Sequence, residues 1–367
     1  MRADDDGVTA MTAHPSEDPE TIEVRDEERL DTARLEPYLR EHLEGAQGPL
    51  AIRQFGGGHA NLTYLVRFGE REWVLRRPPL GPVVRGAHDM RREHRVLSVL
   101  YRGYPLAPRS FLLCTDADVI GADFFVMERR HGIGLRHTIP EPWAHQPDVL
   151  RGVGERLIDD LAALHAVDPA AVGLGDLGKP EGYVERNLLG WIERWFNALT
   201  PDVGPAEPFT GWLRQNVPQQ RRTTLLHNDY KLDNTLRDAH DPRRTVAVLD
   251  WDMCTRGEPM MDLGYLLGLW AQKDDPDNWL HGRMPTWLDG FPTRREAAER
   301  YARASGADVD DLHWYVVFSI FRYAVILQQI YIRYVRGQTH DERFRGFGAA
   351  VNELTQKGLD LIDSGDI

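Results

Sequence analysis

One string concentrates the chemistry of this chain: Leu226-His227-Asn228-Asp229-Tyr230-Lys231-Leu232-Asp233-Asn234, an H-x-D-x-x-x-x-N pattern directly after a short apolar run. A second apolar run, Val246-Ala247-Val248-Leu249, ends in Asp250, sixteen residues past Asn234. Phosphoryl transfer from a nucleotide needs a carboxylate that accepts or orients the acceptor hydroxyl, and oxygen ligands that hold Mg²⁺ across the phosphates. Asp229 suits the first task. Asn234 and Asp250 suit the second, provided that two strands lie side by side and bring their ends together. The pattern recurs by chance in unrelated chains, so its weight comes from the strand before it and the strand-terminal Asp after it.

The surrounding elements must supply that convergence. A helix is expected over 31–45, with Leu35, Leu39 and Leu43 four apart. Strands follow at 50–55, 62–68 and 72–77; the first two are joined by Gly56-Gly57-Gly58-His59-Ala60-Asn61, the last two by Gly69-Glu70-Arg71, a hairpin signal. Pro78, Pro79, Gly81 and Pro82 end this meander. One helix at 88–101 carries Met90, Glu93, His94 and Leu97 at helical spacing, and runs at 111–115 and 124–127 restore the sheet. From 147 onward helical patterns dominate, interrupted by strand-like pieces at 224–226 and 246–249. The reading is an α+β fold of two lobes with a cleft between them, which suits a small-molecule site. A small antiparallel-sheet lobe with one helix spans 31–130, and a larger, mostly helical catalytic and acceptor-binding lobe spans 131–367.

These residues together resemble the aminoglycoside phosphotransferase and choline kinase-like enzymes, which share the protein-kinase fold. The resemblance rests on Gly56 to Thr63, Val74-Leu75-Arg76, Glu93, Met127, the H-N-D-Y-K-L-D-N loop, Asp250 and Asp262, and covers residues 50 to about 340. It implies that Asp229 is the catalytic aspartate and that Asn234 and Asp250 are Mg²⁺ ligands. It also makes His227 a structural residue of the loop and Asp262 the aspartate that supports the loop from the next helix. Lys231 falls where the protein-kinase catalytic loop often places a phosphate-contacting lysine, a feature the small-molecule kinases do not generally share. Met127, Glu128 and Arg129 correspond to the hinge whose backbone binds the adenine of ATP, with GTP the alternative donor.

The chain departs from the kinase pattern at the phosphate-binding strand lysine, where Arg76 stands. Arginine neutralises phosphate with a fork of donors, not a point charge. Alternation places only one of Arg76 and Arg77 on a given face. Glu93 is the implied partner of Arg76, against the alternative of an ordinary solvated glutamate. Leu75-Arg76-Arg77-Pro78-Pro79 resembles a string found in the branch of the family associated with acyl-CoA dehydrogenases, where Arg is a native choice. Gly57, Gly58 and Asn61 either contact phosphate or form a plain structural turn.

Composition narrows the alternatives. The chain has 367 residues, a net charge of -13 and two cysteines, Cys114 and Cys254, without metal-ligand or redox spacing. Residues 1–30 hold ten acids and three bases, and read as a disordered acidic tail. The remaining acidity argues against nucleic acid as a partner. With no basic start leading into an apolar segment, the chain reads as cytoplasmic. The apolar stretch 314–331 contains Arg322, Gln328 and Gln329, and reads as a buried helix instead of a membrane span. Gly173-Leu174-Gly175-Asp176-Leu177-Gly178-Lys179 has Walker A spacing, but Pro180 stands where Ser or Thr is needed.

Along the late helix Trp314, Tyr315, Phe318, Phe321, Arg322, Val325, Gln329, Ile332 and Arg333 recur at helical spacing, an aromatic surface with embedded Arg. Arg322 therefore meets either an internal carboxylate or an acidic acceptor. The leading expectation is an ATP- and Mg²⁺-dependent phosphotransferase acting on a small-molecule hydroxyl, of an anionic hydroxy acid or a hydroxyacyl-CoA. The alternatives are an aminoglycoside O-phosphotransferase and an inactive nucleotide-binding member of the fold. No oligomeric state follows from the sequence.

Overall fold

A computed structural model describes residues 20–56, 61–81, 89–204, 206–276 and 279–367. The chain divides into two compact units, one of residues up to His94 together with Ser110–Arg129, the other of Arg95–Arg109 together with Arg130–Ile367.

The first unit is built on a six-stranded antiparallel sheet of β1 (Thr21–Ile22), β2 (Leu50–Phe55), β3 (Leu62–Phe68), β4 (Arg71–Arg77), β5 (Ser110–Cys114) and β6 (Phe124–Glu128), in the order β1-β2-β3-β4-β6-β5. Gly69 turns β3 into β4 with φ 57°, a conformation cheap only for glycine, and sets Phe68 opposite Arg71. Helix α1 (Thr32–His42) starts on Asp31, whose carboxylate accepts the amides of Ala33 and Arg34. Leu35, Leu39 and Leu43 pack with Tyr64, Phe68, Leu75 and Phe124 of the sheet. Burying each leucine contributes about 1.5–3 kcal/mol. Short α3 (Ala117–Ile120) lies in this unit, and helix α2 (Met90–Leu100) begins in it and passes into the second at Arg95.

Two expected boundaries shift. The tail was expected to reach residue 30, yet residues 20–30 carry β1, paired antiparallel with β2, and a 3-10 turn at Asp26–Glu28. Acidity does not keep the segment from ordering because Arg25 pairs with Glu28, Arg53 with Glu23 and Arg129 with Glu20. Residues 95–109, expected in the sheet lobe, belong to the second unit. There the Tyr104 hydroxyl donates to the Asp160 carbonyl at 3.0 Å, and the Val248 amide donates to Leu106 at 2.8 Å.

The second unit runs through β7 (Ile133–Gly134), α4 (Glu141–Ala144), α5 (Pro147–His165), α6 (Tyr183–Asn197), α7 (Glu207–Gln215), β8 (Thr224–Leu226), β9 (Thr235–Arg237), β10 (Thr245–Val248) and β11 (Thr255–Gly257). It closes with α8 (Met260–Leu269), α9 (Arg294–Ser305), α10 (Leu312–Val335) and α11 (Phe347–Ser364). All ten residues of α8 are buried. Helix α10 is long and apolar enough to cross a membrane, but 78% of its apolar window is buried within the protein. This bears out the buried helix read from the sequence and corrects only the expectation of an aromatic surface. Trp314 packs on Tyr315 and Phe318, and Phe321 packs on Trp195 and Phe209, so most of those rings are core.

Candidate active site

Strands β9 and β10 pair antiparallel with Val248 opposite Thr235, and the Leu249 amide donates to the Asn234 carbonyl at 2.8 Å. The strand ends that meet are therefore those of β9 and β10, with Asp250 directly after Leu249; the strand before the loop, β8, expected beside β10, instead pairs antiparallel with β11. His227 adds a second tie: Nε2–H donates to the Leu249 carbonyl at 2.9 Å while Nδ1 accepts the Asp229 amide at 3.3 Å. One imidazole thus joins the Asp229 loop to the strand that ends in Asp250.

Among the described residues, the non-glycine residues with positive φ are Asn228 at 66° and Asp250 at 69°. Asn and Asp tolerate this region better than other side chains, but it still costs of order 1 kcal/mol or more at each position. The loop offsets that cost with hydrogen bonds. Asp262, fully buried near the start of α8, accepts the His227 amide at 2.6 Å and the Asn228 amide at 2.8 Å. His165 Nε2 reaches the same carboxylate at 3.3 Å, and its Nδ1 is 2.7 Å from the Tyr301 hydroxyl. Burial works against ionisation of Asp262, but His165, His227 and the His227 amide outweigh it and hold the carboxyl below its ordinary value. The Asn228 side chain is satisfied on both sides, accepting from the Tyr183 hydroxyl at 2.8 Å and donating to the Met253 carbonyl at 2.9 Å.

Asp229 itself is crowded with donors. Lys231 Nζ lies 3.0 and 2.9 Å from its two oxygens, Asn234 Nδ2 donates to Oδ2 at 2.8 Å, and the Tyr265 hydroxyl donates to Oδ1 at 2.6 Å. One fifth of the Asp229 side chain and one quarter of the Lys231 side chain remain accessible. Because Asn234 turns its amide nitrogen to Asp229, its Oδ1 is the atom left to ligate a cation. No group of three or more His, Cys, Asp or Glu able to hold a metal occurs among the described residues. Asn234 and Asp250 fit Mg²⁺ on these terms, since this ion takes one or two protein oxygens and completes its shell with phosphates and water.

In the first unit, Arg76 Nη1 donates to Glu93 Oε1 at 3.0 Å, and both side chains are buried. A solvated Glu93 is thereby excluded. Arg77 points to the other face and donates to the Ile120 carbonyl at 3.1 Å, as strand alternation requires. Asn61 is buried, whereas Gly57 and Gly58 lie outside the described residues. Met127 pairs with Val74 and Ser110, and Glu128 with Trp73. Arg129 spends its side chain on Glu20 at 2.7 Å and on the face of Phe55 at 4.7 Å.

Arg322 is only 4% exposed and makes no ion pair with a carboxylate among the described residues. Its Nη2 donates to the Asn228 carbonyl at 3.4 Å, its guanidinium lies over the rings of Tyr265 at 4.8 Å and Trp191 at 5.3 Å, and its Nε lacks a hydrogen-bond partner. The internal carboxylate considered from the sequence is therefore not its partner. Sequence reasoning missed Tyr265, Tyr183, Asn228 and His165. Asn228 lay inside the quoted loop without a role assigned, and Tyr265 had a signal, lying three residues after Asp262 on the same helical face.

A sheet unit with a buried Arg–Glu pair, and a helical unit with an aspartate loop tied to a second strand-terminal aspartate, define a protein-kinase-like phosphotransferase fold. An aminoglycoside phosphotransferase solved with ADP and hygromycin B has this fold, with TM-score 0.57 at 16% identity over 90% of this chain and 99% of its own. A structure from Ralstonia eutropha named for the aminoglycoside phosphotransferases matches with TM-score 0.78 and 30% identity over 92% of this chain and 99% of its own. The family model "Phosphotransferase enzyme family" (APH) matches residues 51–308, and the chain belongs to that family. "Acyl-CoA dehydrogenase family member 11" of Gallus gallus is 32% identical over 359 residues, 94% of this chain. The match spans 45% of that relative's length.

Proposed function

We propose that this chain is an ATP- and Mg²⁺-dependent kinase that phosphorylates the hydroxyl of a small acidic acceptor, a hydroxy acid or a hydroxyacyl thioester of coenzyme A. The observation that carries the kinase reading is the Leu249–Asn234 hydrogen bond, which places Asp250 beside the loop bearing Asp229 and Asn234. In the reaction the bond between the γ-phosphorus and its bridging oxygen breaks, a bond from the acceptor oxygen to that phosphorus forms, and ADP leaves. Asp229 orients the acceptor hydroxyl and takes its proton late. Lys231 turns its charge from Asp229 to the phosphates, and the family resemblance assigns Arg76, held by Glu93, to the nucleotide. Asn234 Oδ1 and Asp250 would hold a Mg²⁺ ion, which would supply positive charge to the transferring group.

The acidic acceptor is supported by Arg322, a buried cation beside the Asp229 loop with neither a carboxylate partner nor a bond at Nε. Acyl-CoA chemistry in the names of the longer relatives supports a thioester-linked acceptor. A polycationic aminoglycoside needs carboxylates in the acceptor pocket, and Arg322 stands against it.

ATP consumption measured against hydroxy acids, their coenzyme A esters and aminoglycosides tests the reading: the acidic acceptors turn over and the aminoglycosides do not. Arg322→Met raises the acceptor KM about 10- to 100-fold with little change in the KM for ATP. Equal turnover of neutral acceptors, or an unchanged acceptor KM, rejects the acidic acceptor. Glu93→Ala has the opposite signature, raising the KM for ATP about tenfold while sparing that of the acceptor, because Arg76 loses its buried counter-charge.

A further inference from the structure

Of the three side chains that donate to the Asp229 carboxylate, two have other work in the reaction as proposed, Lys231 on the phosphates and Asn234 on the cation. Tyr265 has none. Its hydroxyl donates to Asp229 Oδ1 at 2.6 Å, its ring stacks on Tyr323 at 5.1 Å with an interplanar angle of 29°, and the Arg322 guanidinium lies 4.8 Å from its ring centroid. Tyr265 is 6% exposed and stands on α8, whose Asp262 fastens the loop that carries Asp229. Burial first, and the adjacent Asp229 carboxylate second, push the hydroxyl well above its ordinary value, so it remains a donor throughout the working pH range. A stacked phenol has two torsions and little room to use them.

We infer that Tyr265 is a positioning residue with two functions: its hydroxyl fixes the Asp229 carboxylate toward the acceptor oxygen, and its ring is the platform on which Arg322 meets the acceptor's acidic group. The second function rests on the acidic-acceptor reading, and the first does not. When Lys231 is drawn to the phosphates, the carboxylate loses its cation, and Tyr265 on Oδ1, opposite Asn234 Nδ2 on Oδ2, keeps it from rotating away. One side chain thereby holds both the group that activates the acceptor hydroxyl and the group that recognises the acceptor's charge.

Steady-state kinetics of the full chain with Tyr265→Phe and Tyr265→Leu separate the two functions, with water as the acceptor where no small molecule turns over. Tyr265→Phe keeps the ring; we expect kcat to fall about 10- to 100-fold while both KM values stay within about twofold. Adding Tyr265→Phe to Asp229→Asn should slow the enzyme no further, because the hydroxyl acts through that carboxylate. Tyr265→Leu removes the platform as well and should add about a tenfold rise in the KM of an acidic acceptor, the effect also expected of Arg322→Met. An unchanged kcat for Tyr265→Phe, or a loss that persists undiminished on the Asp229→Asn background, overturns the positioning role. Equal acceptor KM values for Tyr265→Phe and Tyr265→Leu overturn the platform. If neutral acceptors turn over as well as acidic ones, the acceptor reading fails while a kcat loss in Tyr265→Phe still stands for Asp229.

Discussion

Asp229→Asn is expected to slow phosphoryl transfer by about 10³-fold or more, while nucleotide affinity stays within about threefold. The substitution conserves shape, so its effect is chemical. The amide cannot take the acceptor's proton, and it sets its own N–H groups against a cluster of donors, since Lys231, Asn234 and Tyr265 all converge on the native carboxylate. Single-turnover transfer to the acceptor, alongside calorimetric titration with a non-hydrolysable ATP analogue, reads the two quantities separately. Turnover within tenfold of the native enzyme would remove Asp229 from the chemistry and favour a nucleotide-binding protein without kinase activity.

The second large effect belongs to Asp262, which touches no substrate in the proposed mechanism. Asp262→Ala strands the amides of His227 and Asn228 and the imidazole of His165 in a site closed to solvent. Losses of this kind cost about 3–5 kcal/mol, read as a lower urea midpoint at pH 7. Activity should fall even in the fraction that stays folded, because the Asn228 turn loses its anchors. The native carboxyl titrates below its ordinary value of 3.8, so its stabilising contribution is complete above that value and is lost as the pH falls through the lower folded-state value. Native protein therefore loses this contribution only in strong acid, and the Asp262→Ala protein lacks that part of the acid slope. Equal urea midpoints for the two proteins at pH 7 would contradict this account.

The loop residues and their strands could be read from the sequence because their signals are local. A strand, an H-x-D-x-x-x-x-N loop and a strand-terminal Asp fall within 30 residues, but the pairing was not legible: β10 lies against the short, unforeseen β9 that follows the loop, and β8 lies against β11. Arg76 and its partner Glu93 came from the family resemblance, and alternation along β4 added only that Arg76 and Arg77 face opposite ways. Other features depend on long-range contacts that no spacing announces. His165 lies 97 residues before the Asp262 that it contacts, and Tyr183 lies 45 before Asn228. The late helix misled because periodicity reports which residues share a face, not whether that face meets ligand or core. Trp314 and Phe321 are apolar enough for either fate, and α6, α7 and α11 decide it by covering them. Arg129 shows the converse, since the acidic segment expected to be a tail supplies its partner Glu20.

The left-handed backbone at Asn228 and Asp250 bears on how such an enzyme could be made heat-tolerant. Glycine at either position relaxes the main chain, but it adds freedom to the unfolded chain and forfeits whatever the native side chain holds. At Asn228 the exchange releases Tyr183 and Met253, and at Asp250 it deletes the carboxylate assigned to the cation. Gains in robustness found at these two sites should come with loss of catalysis, and a thermostabilising library is better aimed at positions away from them.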